Sequence, residues 1–226
     1  RNTCKCDEVI GPHAGHSSAV TSGGCRRNTF IGPSGTDFDV VIHLAGQAGV
    51  RSSPSEASHY IVSNLVGFWN ILDLCRVHDI KHLLYASSSS VYGGQANPPF
   101  STNDPVEFPQ SLYAATKRSN ELIAYSMSHQ FGLPVTGLRF FTVYGPFGRP
   151  DMAVFSFARS IIEDEYIDLY DDGLLQRDFT FIDDVVEGII RVIKKPAKSD
   201  KNFDFYTTCP SNSWAPHKIF NIGNSS

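Results

Sequence analysis

Tyr113-Ala114-Ala115-Thr116-Lys117 lies between two apolar runs, His82-Leu83-Leu84-Tyr85-Ala86 and Val135-Thr136-Gly137-Leu138-Arg139-Phe140-Phe141. This order decides the fold. With about 3.6 residues per helical turn, Tyr113 and Lys117 project from one face, one turn apart. The spacing predicts a helix over Leu112 to Phe131, closed by Gly132 and Pro134. The flanking runs are short and continuously apolar, as strands covered on both faces are.

Working outward, the same alternation continues. Asp39 to Ala45 reads as a buried strand, and Pro54 opens a connector. Ala57 to His78 reads as a helix, with Leu65, Phe68, Trp69, Leu72 and Cys75 at helical spacing. Lys81 to Ser87 forms the next strand, followed by a loop from Gly93 to Ser111. After the strand Val135 to Phe141 come a helix over Asp151 to Glu163 and a short strand over Tyr166 to Tyr170. A helix over Asp183 to Lys195 and a last strand over Ile219 to Ile222 complete the pattern, with Ala197 to His217 as a surface loop or insertion. Alternating strands and helices predict an α/β fold with a doubly wound parallel sheet.

Composition bounds the function. Hydrophobic residues make up 41% of the 226, sufficient for a real core. A net charge of -4 argues against a general nucleic-acid or membrane-surface binder. No stretch approaches the roughly 18 apolar residues of a membrane span. The first residues carry no apolar signal core, so the expected location is cytoplasmic. The five cysteines are irregularly spaced, unlike a secreted disulfide framework. Cys75 falls on an apolar helical stripe and is expected in the core. Cys4, Cys6, His13, His16 and Cys25 match no standard zinc module, so no metal is expected. Residues 1–36 hold few aliphatics and much Gly, Ser, Thr and Asn, and read as an irregular head.

Tyr113 and Lys117 carry the chemistry. A free tyrosine, with a pKa of about 10, is a poor base at neutral pH. A neighbouring ammonium favours the phenolate and is expected to lower that value. A hydroxyl from the run Ser87 to Ser90, on the neighbouring strand, can relay the proton. The Y-x-x-x-K spacing alone is weak, because any amphipathic helix can carry it.

The surroundings strengthen it. Val40-Val41-Ile42-His43-Leu44-Ala45-Gly46, Val91-Tyr92-Gly93, Arg139-Phe140-Phe141-Thr142-Val143-Tyr144-Gly145-Pro146 and Arg177-Asp178-Phe179-Thr180-Phe181-Ile182-Asp183-Asp184 follow in order. Together they resemble the extended short-chain dehydrogenase/reductase family, specifically its nucleotide-sugar epimerases. Gln47-Ala48-Gly49-Val50-Arg51 and Gly148-Arg149-Pro150-Asp151-Met152 resemble the UDP-glucuronate 4-epimerases most closely. The resemblance covers about Asp37 to Ser226.

That resemblance implies a Rossmann-like sheet, incomplete at its N-terminus, with part of a smaller substrate-binding region. The implied division is 1–36 as an unrelated head, 37–146 as the catalytic part of the NAD-binding domain, and 147–226 as part of the nucleotide-sugar region. It implies NAD as cofactor and a UDP-sugar as substrate. Tyr113 would take the proton from the sugar C4 hydroxyl, and the C4 hydride would pass to the nicotinamide. The 4-keto sugar would then turn over and receive the hydride on its other face. Lys117 would support the phenolate and grip the nicotinamide ribose. Ser88, three before Val91, would bridge sugar and tyrosine. Ala45, Gly46 and Ser87 would adjoin the cofactor. Asn64, Phe141, Thr142, Arg177 and Arg51 would serve the substrate side, Arg51 as a partner for a sugar carboxylate.

Dehydratases of the family place an Asp-Glu pair after the catalytic hydroxyl, and its decarboxylases usually a Glu. Ser89 and Ser90 stand there instead and are no acids near pH 7, which favours epimerisation. UDP-galactose 4-epimerase, UDP-glucuronate decarboxylase and an inactive fragment or pseudoenzyme remain alternatives. The family's opening G-x-x-G-x-x-G turn, which holds the cofactor pyrophosphate, does not occur in these residues, so weak NAD binding is expected. Structural readings stand beside the functional ones: His43 as a packed histidine, Phe141 as core, Arg177 paired with Asp178 in the interior, and Asp183 and Asp184 as helix caps. Relatives commonly form homodimers, and Trp69, Leu72, Tyr125 and Met127 could supply such a face, though a monomer's core could use them equally well.

Overall fold

The computed structural model describes residues 38–49, 57–94, 98–173, 177–204 and 213–224. The irregular head, the cysteine–histidine group within it, the Pro54 connector and Arg51 lie outside the described residues.

Four parallel strands form the main sheet in the order β1 (Val40–His43), β2 (His82–Ser88), β3 (Val135–Phe140), β6 (His217–Ile222). The central strands are apolar because both faces are covered: Leu83, Leu84, Val135 and Leu138 are fully buried. The helical connection between β1 and β2 comprises α1 (Ala57–Tyr60), a π-helical segment (Ile61–Val66) and α2 (Gly67–Val77). The junction residues Tyr60, Val66 and Gly67 all keep helical backbone angles, so the three pieces run on as one helix. Helix α3 (Leu112–Phe131) connects β2 to β3. Its two ends are written in the sequence. The Ser111 hydroxyl accepts the Ala114 N–H at 3.1 Å, and Gly132 closes the helix in the left-handed region at φ 68°.

One apolar cluster unites α2, α3 and the sheet, with Phe68, Leu72, Cys75, Leu83, Tyr85, Ala124, Met127 and Val135 at its centre. Tyr85 crosses the sheet to reach His217 at 3.3 Å. Gly137 makes this possible, since a Cβ there would stand 2.6 Å from the Tyr85 hydroxyl. Leu72 and Met127 are buried in this core, the second of the two places open to them from the sequence. Cys75 is buried as expected.

Beyond β3 the chain changes sheet. After Phe141 it forms β4 (Thr142–Tyr144), which pairs in parallel with β5 (Phe179–Phe181). Helix α4 (Ala153–Ile162) lies between them, and α5 (Ile182–Ile193) follows β5. β6 then returns to the main sheet beside β3, within the stretch expected to be a separate sugar region. The strand expected over Tyr166 to Tyr170 does not form. Tyr166 and Leu169 are 102% and 62% exposed, and a 3₁₀ turn follows at Tyr170–Gly173. Asp183 and Asp184 occupy the first turn of α5, but its cap residue, Phe181, makes no side-chain capping bond. They suit the helix dipole without serving as caps.

Candidate active site

Tyr113, Lys117 and Glu121 stand at successive turns of one face of α3. That face meets three consecutive residues at the end of β2. The Lys117 ammonium donates to the Ala86 carbonyl at 2.8 Å. The Ser87 hydroxyl donates to Glu121 Oε1 at 2.6 Å. The Ser88 hydroxyl stands close enough to that of Tyr113 to act on its pKa. β2 ends there because the chain turns into a 3₁₀ segment, Ser89–Tyr92, capped by Ser88 Oγ accepting the Ser90 N–H at 3.2 Å. Gly93 follows at φ 64°.

Ser88, Tyr113 and Lys117 thus converge on a cavity of about 350 Å³, whose walls also include Gly46, Phe141 and Val185. It is mostly apolar with a few convergent polar groups, the usual character of a small-molecule site. Burial lowers the Lys117 pKa to about 8. Burial also raises that of Tyr113 above its ordinary value, and Tyr60 adds to the rise, while the Ser88 hydroxyl and the Arg149 charge oppose it. The expected lowering by Lys117 is not found. The ammonium sits over the ring, 5.8 Å from its centroid, and is directed at Ala86. The phenol in this geometry stays above the ordinary tyrosine range.

The loop after β1 forms the opposite wall. Asn64, in the π-helical segment, grips it from both sides. Its Oδ1 accepts the Gln47 N–H at 2.8 Å, while its Nδ2 donates to the Gln47 carbonyl and to Thr116 Oγ1, both at 3.0 Å. Asn64 is 2% exposed, so its amide positions this loop against α3 and is spent on protein contacts. A Cβ on Gly46 would meet Asn64 Oδ1 at 3.0 Å and Lys117 Nζ at 3.5 Å, so a side chain there would crowd the Asn64 amide. Ala45, beside it, is partly buried. His43 is buried and stacks on Phe68 with ring centroids 5.7 Å apart. Burial first and the Lys117 charge second hold its pKa at about 4, as for a packed, neutral histidine.

The remaining candidates separate. Phe141 lines the cavity and also packs on the Val91–Tyr92–Val106 cluster. Thr142 opens β4, its N–H donating to the Asp178 carbonyl at 3.2 Å. Arg177 is exposed and not in the interior, and Asp178 accepts from Thr180 Oγ1 and the Asn224 N–H. Ser87 turns its hydroxyl to Glu121, leaving its backbone at the cavity. Two features escaped sequence reasoning. Arg149, in a loop after β4, lies near enough for its charge to act on Tyr113. Glu121 was within reach of the spacing argument, since it repeats the four-residue step from Tyr113 to Lys117.

The fit to NAD can be judged from Lys117. An ammonium has three donors, and one is spent on Ala86, leaving two at the cavity for the vicinal hydroxyls of a ribose. The apolar walls suit the flat face of a nicotinamide. Among the described residues no cluster of His, Cys, Asp or Glu could hold a metal, and no helix is long and apolar enough to cross a membrane.

Comparison with known proteins places this geometry. The sequence profile of the NAD dependent epimerase/dehydratase family matches residues 26–223. Protein CapI of Staphylococcus aureus is 55% identical over 188 residues, which cover 83% of this chain and 56% of CapI. The probable UDP-glucuronate 4-epimerase of Rhizobium meliloti is 46% identical over 186 residues, 82% of this chain and 54% of that protein. The crystal structure of UDP-glucuronic acid 4-epimerase from Bacillus cereus with UDP-glucuronic acid and NAD superposes with a TM-score of 0.70 at 32% identity. The match covers 84% of this chain and 55% of that one. The chain spans about half the length of the curated relatives it matches.

Proposed function

The chain belongs to the NAD dependent epimerase/dehydratase family, and from that premise we propose that it carries the proton-transfer side of a nucleotide-sugar 4-epimerase acting on UDP-glucuronate. The observation that supports this most is the convergence of Ser88, Tyr113 and Lys117 on one cavity. Lys117 and the Gly46 loop would hold NAD, which when bound supplies reversible hydride acceptance at the sugar C4. Tyr113 Oη holds or receives the proton of the C4 hydroxyl, with Ser88 Oγ relaying it. Ser88 is prepared for this, since Ser90 donates to it at 2.9 Å and leaves its own hydrogen free for Tyr113. Phe141 and Val185 keep water from the reacting face.

Arg149 is the cation we assign to the sugar carboxylate: its charge acts on Tyr113, although it does not line the cavity and is ion-paired with Asp151 at 3.3 Å. Ser89 and Ser90 offer no carboxylate for dehydration or decarboxylation. A second copy of the chain would dock on the groove of about 480 Å³ formed by Leu65, Val66, Trp69 and Ile123, where Trp69 is 46% exposed.

Parallel assays with NAD and either UDP-glucuronate or UDP-galactose test the reading. A charge-assisted hydrogen bond to the carboxylate predicts about 10- to 100-fold preference for UDP-glucuronate, with UDP-galacturonate as product. A preference for UDP-galactose, or release of carbon dioxide, would overturn it.

A further inference from the structure

We propose that Arg139 is a positioning residue for the proton relay, holding both ends of the segment that carries Ser88. The proposal rests on the reading that Ser88 and Tyr113 share a proton during turnover. Arg139 is fully buried on β3 and lines no part of the cavity. Its Nε and Nη2 donate to the two carboxylate oxygens of Glu121 at 2.8 and 2.9 Å, and Glu121 Oε1 accepts the Ser87 hydroxyl. Its Nη1 donates to the Tyr92 hydroxyl at 2.9 Å. Tyr92 in turn donates to Asn221 Oδ1 at 2.7 Å, and Asn221 Nδ2 donates to the Phe100 carbonyl at 2.9 Å.

Ser87, near the end of β2, and Tyr92, the last residue of the 3₁₀ segment, flank one short stretch with Ser88 inside it. One guanidinium therefore fixes the start of that stretch through Glu121 and its end through Tyr92. The planar fork is what allows this, since a single rigid cation serves two acceptors in fixed directions. Register reinforces it: Ser87, Arg139 and Asn221 are partnered across β2, β3 and β6. A buried ion pair is weak evidence for stability as such, because apolar residues of similar volume commonly replace one without loss. Its bonding to both ends of the relay segment is what gives it a role in geometry.

Tyr92→Phe tests this with one atom. The ring keeps its stack on Phe100, whose centroid is 4.8 Å away, while the link to Arg139 and Asn221 is cut. Ser87→Ala cuts the other end and serves if the first variant does not fold. Two readouts are taken on the full chain: kcat and KM per folded molecule, and the titration of Tyr113 followed by ¹³Cζ-tyrosine NMR, assigned with Tyr113→Phe. We expect kcat to fall about 10- to 100-fold with KM little changed, as for a displaced reacting group. The Tyr113 resonance should titrate about half a pH unit higher, the effect of a weakened hydrogen bond from Ser88. A folded Tyr92→Phe or Ser87→Ala protein whose Tyr113 titrates as in the wild type overturns the inference. Absence of epimerisation by the wild type sinks the functional reading instead, and the titration still decides the positioning.

Discussion

Ser87 and Arg139 face each other across β2 and β3 and donate to the same oxygen, Glu121 Oε1, at 2.6 and 2.8 Å. A helix and two strands are thereby joined at a single buried carboxylate. Arg118 at the rim adds a second cation, 3.2 Å from the other oxygen. Burial alone would raise the Glu121 pKa, but the hydrogen bond and charge of Arg139 outweigh it and hold the carboxyl below its ordinary value.

Glu121→Ala should therefore cost about 3–5 kcal/mol, because it strands the Arg139 charge in the interior. Urea unfolding at neutral pH measures this. A loss under about 1 kcal/mol would mean that water reaches Arg139 in the variant. The wild-type pair also sets a pH dependence. The folded pKa is depressed, so its contribution is present above the ordinary value of 4.5 and is lost as pH falls through the depressed one.

Acid should weaken the fold earlier than that, through histidines. Burial first, followed by smaller charge effects, holds His43 and His217 at about 4 against an ordinary 6.5. The unfolded chain binds these protons below pH 6.5 and the folded chain resists them until about pH 4. Stability therefore falls as pH drops through that window, by at most about 3 kcal/mol for each group. Unfolding free energies at pH 7, 5.5 and 4.5 check the slope. His43→Phe, which keeps a ring against Phe68, should flatten it.

Gly93→Ala should damage the turn after Ser88. Gly93 has φ 64°, and an added Cβ would collide with the backbone carbonyl of Phe108. The conformational penalty alone is roughly 1–2 kcal/mol, and backbone must shift as well. Thermal unfolding should fall by several degrees. A variant as stable as the wild type would show that the loop from Pro105 to Pro109 yields freely.

These residues also show what the sequence made legible. Helix α3 was readable from end to end because Ser111 and Gly132 mark both termini chemically. Tyr113 and Lys117 on one face followed from helical spacing. The small β4–β5 sheet was not readable, since three-residue strands carry too little periodicity, and only Phe141 separates β4 from β3. The expected strand at Tyr166 to Tyr170 failed for the converse reason. Its apolar residues suit a strand, but no described strand pairs with it, and Tyr166 and Leu169 are exposed. The Glu121–Arg139–Tyr92 link depends on strand register, which single-chain patterning leaves open. The Tyr113 pKa went the other way from expectation because burial outweighs the neighbouring charges, and Lys117 is directed to Ala86.

Arg149→Met should weaken binding of UDP-glucuronate about tenfold and leave UDP-galactose unaffected, if this arginine faces the sugar carboxylate. Steady-state KM values for both substrates check it. The same variant should titrate Tyr113 higher, since the Arg149 charge lowers that pKa. Equal losses on both substrates would assign Arg149 to a part that the two share.

The central claim is that Tyr113 serves hydride exchange at C4, and an isotope answers it. UDP-glucuronate carrying deuterium at the sugar C4 is incubated with NAD and the protein, and the product is read by NMR and mass spectrometry. The account predicts UDP-galacturonate that retains deuterium at C4, and loss of about 10²- to 10⁴-fold in rate with Tyr113→Phe. Deuterium washed out to solvent, or turnover unaltered in Tyr113→Phe, would contradict it.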